Sequence, residues 1–371
     1  MNASKKQRPL SGTSAASQFL SLDMKRRSFL KVVGGVTGSM AMGMAPSLVS
    51  EAEAAAGAAR GTMPRRVLGR TGREVSVVAF AGLALSHYDQ AEGTAGVHQA
   101  FAQGLNYFDV APAYGKDGDC EIKLGIALQG LKRSDYVLAC KTKARDKDGC
   151  RQELERSLTR LKTDYFDLYQ LHHLVKPEDV RQALGPGGAL ETIRQAREEG
   201  KIRGIGFSAH TTKAALEALR GFNFDTVMFP ISFAEYYTSG FGKEVLALAK
   251  EKGTAVLSIK TLHSGAWPEG VPPTRKWWYR PLEKQDEINL AYRWTLSLPG
   301  VVAGFPASFL DLQEKAIEAG LAYRPATEAD AQKLEAMAKG AGSIFKREAD
   351  SVAFHSPYPH RPSERCEGEW A

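Results

Sequence analysis

After Met63 the chain alternates between short apolar runs and longer stretches patterned as helices. The apolar runs are Val75–Ala81, NYFDVA, YVLACKT, YFDLYQLH, IRGIGFS, DTVMFPI, TAVLSIKTL and VVAGFP. They are nearly continuous, as expected of strands covered on both faces. Helical segments separate them, and FLDLQEKAIEAG follows the last. In RQELERSLTRLK, Leu154, Leu158 and Leu161 are spaced by four and three, which gives one apolar face. Strand and helix alternate throughout, which predicts parallel βαβ units. Eight such pairs in about 260 residues predict an α/β fold, a (β/α)8 TIM barrel. PRRVLGRTGREVSVV reads as an N-terminal β-hairpin closing the bottom of the barrel. A doubly wound open sheet is the rival, weakened because no G-x-G-x-x-G follows the first strand, AFAGLALSH.

The length of 371 residues suits one large barrel domain. The formal charge is +7, but residues 1–56 hold seven basic and three acidic residues and so carry +4 of it. No basic patch interleaved with aromatics stands out, so nucleic acid is not implied as a partner. The four cysteines, Cys120, Cys140, Cys150 and Cys366, fit no zinc or iron–sulfur spacing. Cys140 lies in an apolar strand, where a buried inert thiol is the expectation.

The front of the chain is laid out as an address. KRRSFLK (Lys25 to Lys31) precedes a weakly apolar run, VVGGVTGSMAMGMAPSLV, and then SEAEAAAG. A basic stretch, an apolar stretch and an A-x-A-like cleavage site make an export signal. Arg26, Arg27, Phe29, Leu30 and Lys31 resemble the twin-arginine signal in particular. The expectation is export by the Tat translocase, cleavage near Ala54–Ala56, and a periplasmic or extracytoplasmic protein with no stable membrane span. A disordered tail or an uncleaved anchor is the alternative, and Met24 is an alternative start. Three parts are therefore expected: a signal and leader at 1–56, a barrel at 57–330, and a C-terminal helix and tail at 331–371.

In a barrel of this kind, chemistry gathers at the C-terminal ends of the strands. NYFDVA ends in Asp109, with Tyr114 in the next loop. YVLACKT presents Lys141, and YFDLYQLH presents His172 and then His173. A buried carboxylate without a partner is costly, so Asp109 is either a turn or cap residue or one member of a site. A carboxylate, a phenol, an amine and an imidazole from three neighbouring strands form a coherent proton-transfer set. A tyrosine titrates near 10 and is a poor acid–base group at neutral pH. An ammonium beside it favours the phenolate, so Lys141 is expected to lower the Tyr114 pKa.

At this point the chain resembles the aldo/keto reductases. RVLGRTGREVSVVAFAG, YFDVAPAYG, SLTRLKTDYFDLYQLH and GKIRGIGFSAH carry the resemblance, in order, over roughly residues 64–320. It implies a catalytic tetrad of Asp109, Tyr114, Lys141 and His172. It also implies a reduced nicotinamide cofactor across the barrel mouth and a small-molecule aldehyde or ketone as substrate. Tyr114 would protonate the oxygen of the new alcohol. His173, one residue on, would point the other way.

The cofactor half departs from the family pattern. Ser208 is kept, but Ala209 stands where the family usually has Asn, and Met228 where it has Gln. Ile259 and Lys260 stand where a stacking Tyr is common, and GFPASFLDLQEKA has no basic residue before Lys315. The cofactor-binding candidates are Ser208, Lys260, Ser308 and Gln313, and NADPH and NADH both stay open. Ser208 is alternatively a helix N-cap, and Gln313 and Glu314 a solvated helix face. SGAWPEGVPPTRKWWYRPLEKQ is a long aromatic loop, so Trp267, Trp277, Trp278 and Tyr279 either line a substrate pocket or cover the rim. Two further functions are open: a cofactor-binding sensor without steady turnover, and a dismutase or epimerase that recycles a tightly held cofactor.

Overall fold

The computed structural model describes residues 62–353, Glu269 excepted. The twin-arginine motif, Cys366 and the C-terminal tail lie outside the described residues.

The chain opens with an antiparallel hairpin, β1 (Arg65–Val67) and β2 (Glu74–Ser76). Eight strands follow: β3 (Phe80–Ala81), β4 (Tyr107–Asp109), β5 (Val137–Thr142), β6 (Phe166–Leu174), β7 (Ile202–Ala209), β8 (Thr226–Pro230), β9 (Ala255–Ile259) and β10 (Val301–Gly304). They pair in parallel in sequence order. Val78 forms a parallel bridge to Gly304, with Gly304 N–H to Val77 O at 2.9 Å and Ala79 N–H to Gly304 O at 3.1 Å. That bridge joins the two edges, and the sheet is a (β/α)8 barrel.

The run Val75–Ala81, expected as one strand, is divided between β2 and β3. Ser76 turns the corner: its hydroxyl donates to Val78 O at 2.7 Å, and its N–H donates to Asn106 Oδ1 at 2.7 Å. Helices cover the outside, and Leu154, Leu158 and Leu161 of helix Lys147–Leu161 are buried as their spacing implies. Four further helices appear, Pro177–Leu184, Phe233–Ser239, Glu328–Ala338 and Phe345–Ala353. Ser232 caps the second of these and Thr327 the third, each accepting an N–H three residues on. None of the described helices is long and apolar enough to cross a membrane.

The hairpin plugs the bottom. Arg70 donates to the carbonyls of Asn223, Phe224, Lys252 and Gly253, and Arg66 to those of Leu296 and Val301. Gly69 has φ +55°, and a Cβ there would lie 2.1 Å from Asp225 O, so only glycine lets the hairpin approach this closely. Asp167, fully buried at the start of β6, faces Arg73, Arg133 and Arg203 and accepts the Leu138 N–H at 3.0 Å. A buried carboxylate compensated this fully fixes the closed end without leaving an unpaired charge.

Candidate active site

Alternation along the strands selects the site residues. On β4, Tyr107 faces the barrel interior, so Asp109 does too, one layer nearer the mouth. On β5 the inward set is Val137, Ala139 and Lys141; on β6 it is Leu168, Gln170 and His172. Register then aligns them, Asp109 with Ala139 and Lys141 with Gln170. Apolar residues fill the lower layers, and the polar set stands above them.

The contacts are direct. The Lys141 ammonium donates to Asp109 Oδ1, to Tyr114 Oη at 3.0 Å and to Val110 O at 3.3 Å. Gln170 Nε2 donates to the second carboxylate oxygen of Asp109 at 3.0 Å. The His172 ring meets the Tyr114 ring edge to face, with centroids 5.5 Å apart. All five side chains are buried. Tyr114 is aimed inward by a tight turn, its N–H donating to Ala111 O at 3.0 Å. Gly115 follows at φ +73°, where a Cβ would lie 1.9 Å from Asp119 Oδ1. That is why a glycine stands beside the tyrosine.

Electrostatics correct one expectation. The Tyr114 pKa is raised, not lowered. Burial disfavours the phenolate, and the opposing pull of Lys141 does not overcome burial together with the Asp109 charge. Tyr114 therefore stands as a protonated phenol. Burial alone would lower the Lys141 ammonium, but Asp109 and Tyr114 outweigh it and the pKa is raised. Burial raises Asp109, opposed by Lys141 and Gln170. His172 is held well below the usual histidine value, first by burial and then by Lys141. Its imidazole is neutral at physiological pH.

Above this set opens a pocket with a cavity volume of about 50 Å³. Ser208, Lys260 and Ser308 line it, together with Asp109, Tyr114 and His172. Ser208 is not a helix cap; Thr211 is, accepting the Ala214 N–H at 3.2 Å. The Ser208 hydroxyl accepts the His173 N–H at 2.8 Å. Lys260 sits at φ +64°, a conformation that costs a lysine energy and that concentrates at functional sites. Gln313 is not brought to the pocket. It is buried, with its carboxamide donating to Ala79 O and accepting from Ala81 N–H, both at 3.2 Å. Trp277 and Tyr279 line the pocket, whereas Trp267 and Trp278 do not. Trp267 Nε1 donates to Trp277 O at 2.6 Å, and Trp278 lies under the Lys260 ammonium, 5.0 Å from it.

Two lining or supporting residues were missed. Gln170 was legible as an amide two residues before His172 in an apolar strand. His210 lines the pocket from the end of β7, where it closes the run GFSAH. Simple alternation fails at His173. β6 is irregular between Leu171 and Leu174, His173 has φ +59°, and its ring packs 4.7 Å from that of His210.

The lining fits the head of a nicotinamide nucleotide. Met228, Ile259 and Phe305 offer an apolar surface for a flat ring, and the Ser208 hydroxyl retains a proton to donate to an amide. Lys260 supplies a positive charge suited to phosphate.

The comparisons agree with the geometry. Residues 80–285 match the model of the Aldo/keto reductase family, so the chain belongs to the aldo/keto reductases, a family of oxidoreductases that use nicotinamide cofactors. It is 30% identical to L-galactose dehydrogenase of Arabidopsis thaliana over 222 residues, 56% of this chain and 68% of that protein. It is 32% identical to 6-dehydroglucose reductase of Novosphingobium aromaticivorans over 176 residues, 42% of this chain and 55% of that protein. Among solved structures it resembles the holo form of aldo-keto reductase AKR11C1 from Bacillus halodurans. The TM-score is 0.61 at 25% identity, covering 77% of this chain and 99% of that one.

Proposed function

We propose that this chain reduces an aldehyde or ketone to an alcohol at the expense of NADPH or NADH. The observation that supports this best is the buried series Asp109–Lys141–Tyr114, with His172 against the phenol ring, at the floor of the pocket. The reduced nicotinamide, when bound, supplies a hydride to the carbonyl carbon. Tyr114 supplies the proton: as the carbonyl oxygen gains negative charge, the phenolic O–H transfers its proton to it. Burial keeps that proton on Tyr114 until the alkoxide forms. The Lys141 ammonium, 3.0 Å from the phenol oxygen, then stabilises the phenolate left behind. Asp109 neutralises Lys141 in the resting state and, through Gln170, is held in place. A neutral His172 donates a hydrogen bond to the substrate oxygen without adding charge. Ser208, Lys260 and Ser308 hold the cofactor. The sugars named by two of the relatives support a small hydroxylated carbonyl compound as the substrate class.

Titration of the purified chain with NADPH and with NADH, read by fluorescence, tests binding. Consumption of the reduced cofactor with butanal tests turnover. The expected result is binding of at least one cofactor, with Tyr114→Phe losing about 10²–10⁴-fold in turnover while still binding it. No binding of either cofactor by folded protein, or full turnover by the Phe variant, overturns the proposal.

The Arg26–Arg27 motif supports export by the Tat route. Replacing both arginines with lysine should keep the protein in the cytoplasm on fractionation; unchanged export would rule that route out.

A further inference from the structure

Lys143 and Arg145 follow β5 directly, at the same mouth as Lys141. Neither has an ion-pair partner among the described residues. The Arg145 guanidinium donates only to backbone carbonyls: Lys143 O at 3.0 Å, His172 O at 2.8 Å and His173 O at 3.1 Å. Its charge is thus fixed beside His172, with no carboxylate among the described residues in ion-pair contact. The carboxylate that acts on Lys143 is Glu153. Glu153 Oε2 is already taken by the Thr142 hydroxyl at 2.6 Å and by the N–H groups of Lys143 and Ala144 at 2.9 and 3.4 Å. Asp179 and then Glu153 are the acids that act on Arg145, and Asp179 accepts the Lys176 N–H at 3.2 Å.

Two buried histidines near these cations, one of them lining the pocket, feel their charge. His173 is pushed down to about 3 by burial and then by Lys143, Arg145 and Lys260. His210, which lines the pocket, is pushed well down by burial, His173, Lys260 and Lys143. They stay neutral, so they neither add to the positive charge nor offset it. The opposite pattern holds at the barrel bottom, where three arginines share the buried Asp167. Cations at a cleft rim that lack a direct ion-pair contact draw anions toward the cleft and raise their local concentration.

We propose that the substrate is an anionic carbonyl compound whose carboxylate or phosphate is bound at the pocket rim by Lys143, in the positive field of Arg145. This rests on the carbonyl-reductase reading of the site. The reacting carbonyl then reaches Tyr114 and His172 while the anion stays at the rim. Lys143 is exposed, so its ammonium can turn to meet the ligand, whereas Arg145 is held in place.

The test is an equilibrium titration of the full chain, read by tryptophan fluorescence, with matched probes. Succinic semialdehyde is compared with butanal, and glyceraldehyde 3-phosphate with glyceraldehyde. The wild type should bind at least one anionic member on the order of tenfold more tightly than its neutral partner, as for a hydrogen bond to a charged group. That preference should weaken as salt is added. Lys143→Ala should bring the ratio toward one, and Lys143→Glu should invert it, with unchanged circular dichroism confirming the fold. The pair that shows the effect tells carboxylate from phosphate. Equal affinities in the wild type, or a preference that survives both variants, overturn the proposal. So does a Lys143→Ala protein that loses NADPH affinity while keeping the anion preference, because the charge then serves the cofactor. Butanal turnover is followed separately: anion preference without turnover of any probe leaves the rim site standing and removes the reductase reading instead.

Discussion

Asp109→Asn isolates the ion pair at the centre of the site. The substitution keeps the shape and removes the charge. Lys141 is then fully buried with only Val110 O at 3.3 Å and Tyr114 Oη at 3.0 Å as further acceptors. Removing one partner of a buried pair costs about 3–5 kcal/mol, because the other charge is stranded in a poorly polarisable interior. The two surviving acceptors place the cost at the low end, about 3 kcal/mol. With a urea m-value of about 3 kcal/mol/M, the unfolding midpoint should fall by about 1 M at constant m. The folded Lys141 pKa is raised, so its stabilising contribution is complete below its unfolded value of 10.5 and fades only as pH rises through the folded value. The wild-type contribution should therefore be the same at pH 7 and pH 9, whereas the cost in the variant should shrink as pH rises, because burial without Asp109 lowers the Lys141 pKa. A double variant, Asp109→Leu with Lys141→Met, removes both charges and should be more stable than Asp109→Asn alone. A midpoint shift below about 0.2 M, or a double variant weaker than the single, would refute the claim that a stranded ammonium is the cause.

Two further outcomes follow from buried titratable groups. His172, His173, His210 and His263 all have folded pKa values below the unfolded one, chiefly from burial, with His173 and His263 down to about 3. Their contribution is present above pH 6.5 and is lost as pH falls below it. The four together should cost about 5 kcal/mol between pH 7 and 5.5, partly offset by the raised carboxyls of Asp109 and Glu235. Calorimetry showing a melting temperature at pH 5.5 equal to or above that at pH 7 would contradict this. Glu235, buried at 0% exposure, accepts N–H groups from Ile344 and Phe345 at 2.6 Å and Lys346 at 2.7 Å, and the Ser343 hydroxyl at 3.3 Å. Glu235→Ala should free the segment around Phe345, which packs on Trp278 and Tyr279. Limited proteolysis should cut there first, and KM should rise more than kcat falls. Unchanged proteolysis would show that the carboxylate does not hold the segment.

The comparison of sequence with structure is best drawn at individual residues. The alternation of apolar strands and patterned helices was enough to specify the barrel, because both periods are local consequences of side-chain burial. The same periodicity put Asp109, Lys141 and His172 on one face of three neighbouring strands. It would have added Gln170 had the polar residue inside YFDLYQLH been followed inward. Periodicity failed at His173, where an irregularity in β6 breaks the alternation. It also failed at Val75–Ala81, where the Ser76 and Asn106 side chains cut one apolar run into two strands.

What the sequence determined by itself was the order of elements, the residue types at the mouth and their spacing. Only the tertiary structure decided how those groups titrate and pair. Tyr114 keeps its proton because burial outweighs a neighbouring ammonium, a balance no spacing reveals. Gln313 stays out of the pocket because two backbone groups, Ala79 O and Ala81 N–H, more than 230 residues away, claim its carboxamide. Lys143 and Arg145 look like ordinary loop cations in the sequence. Folding brings them to the mouth beside His172, where Glu153 and Asp179 accept backbone N–H groups and make no ion-pair contact with either cation.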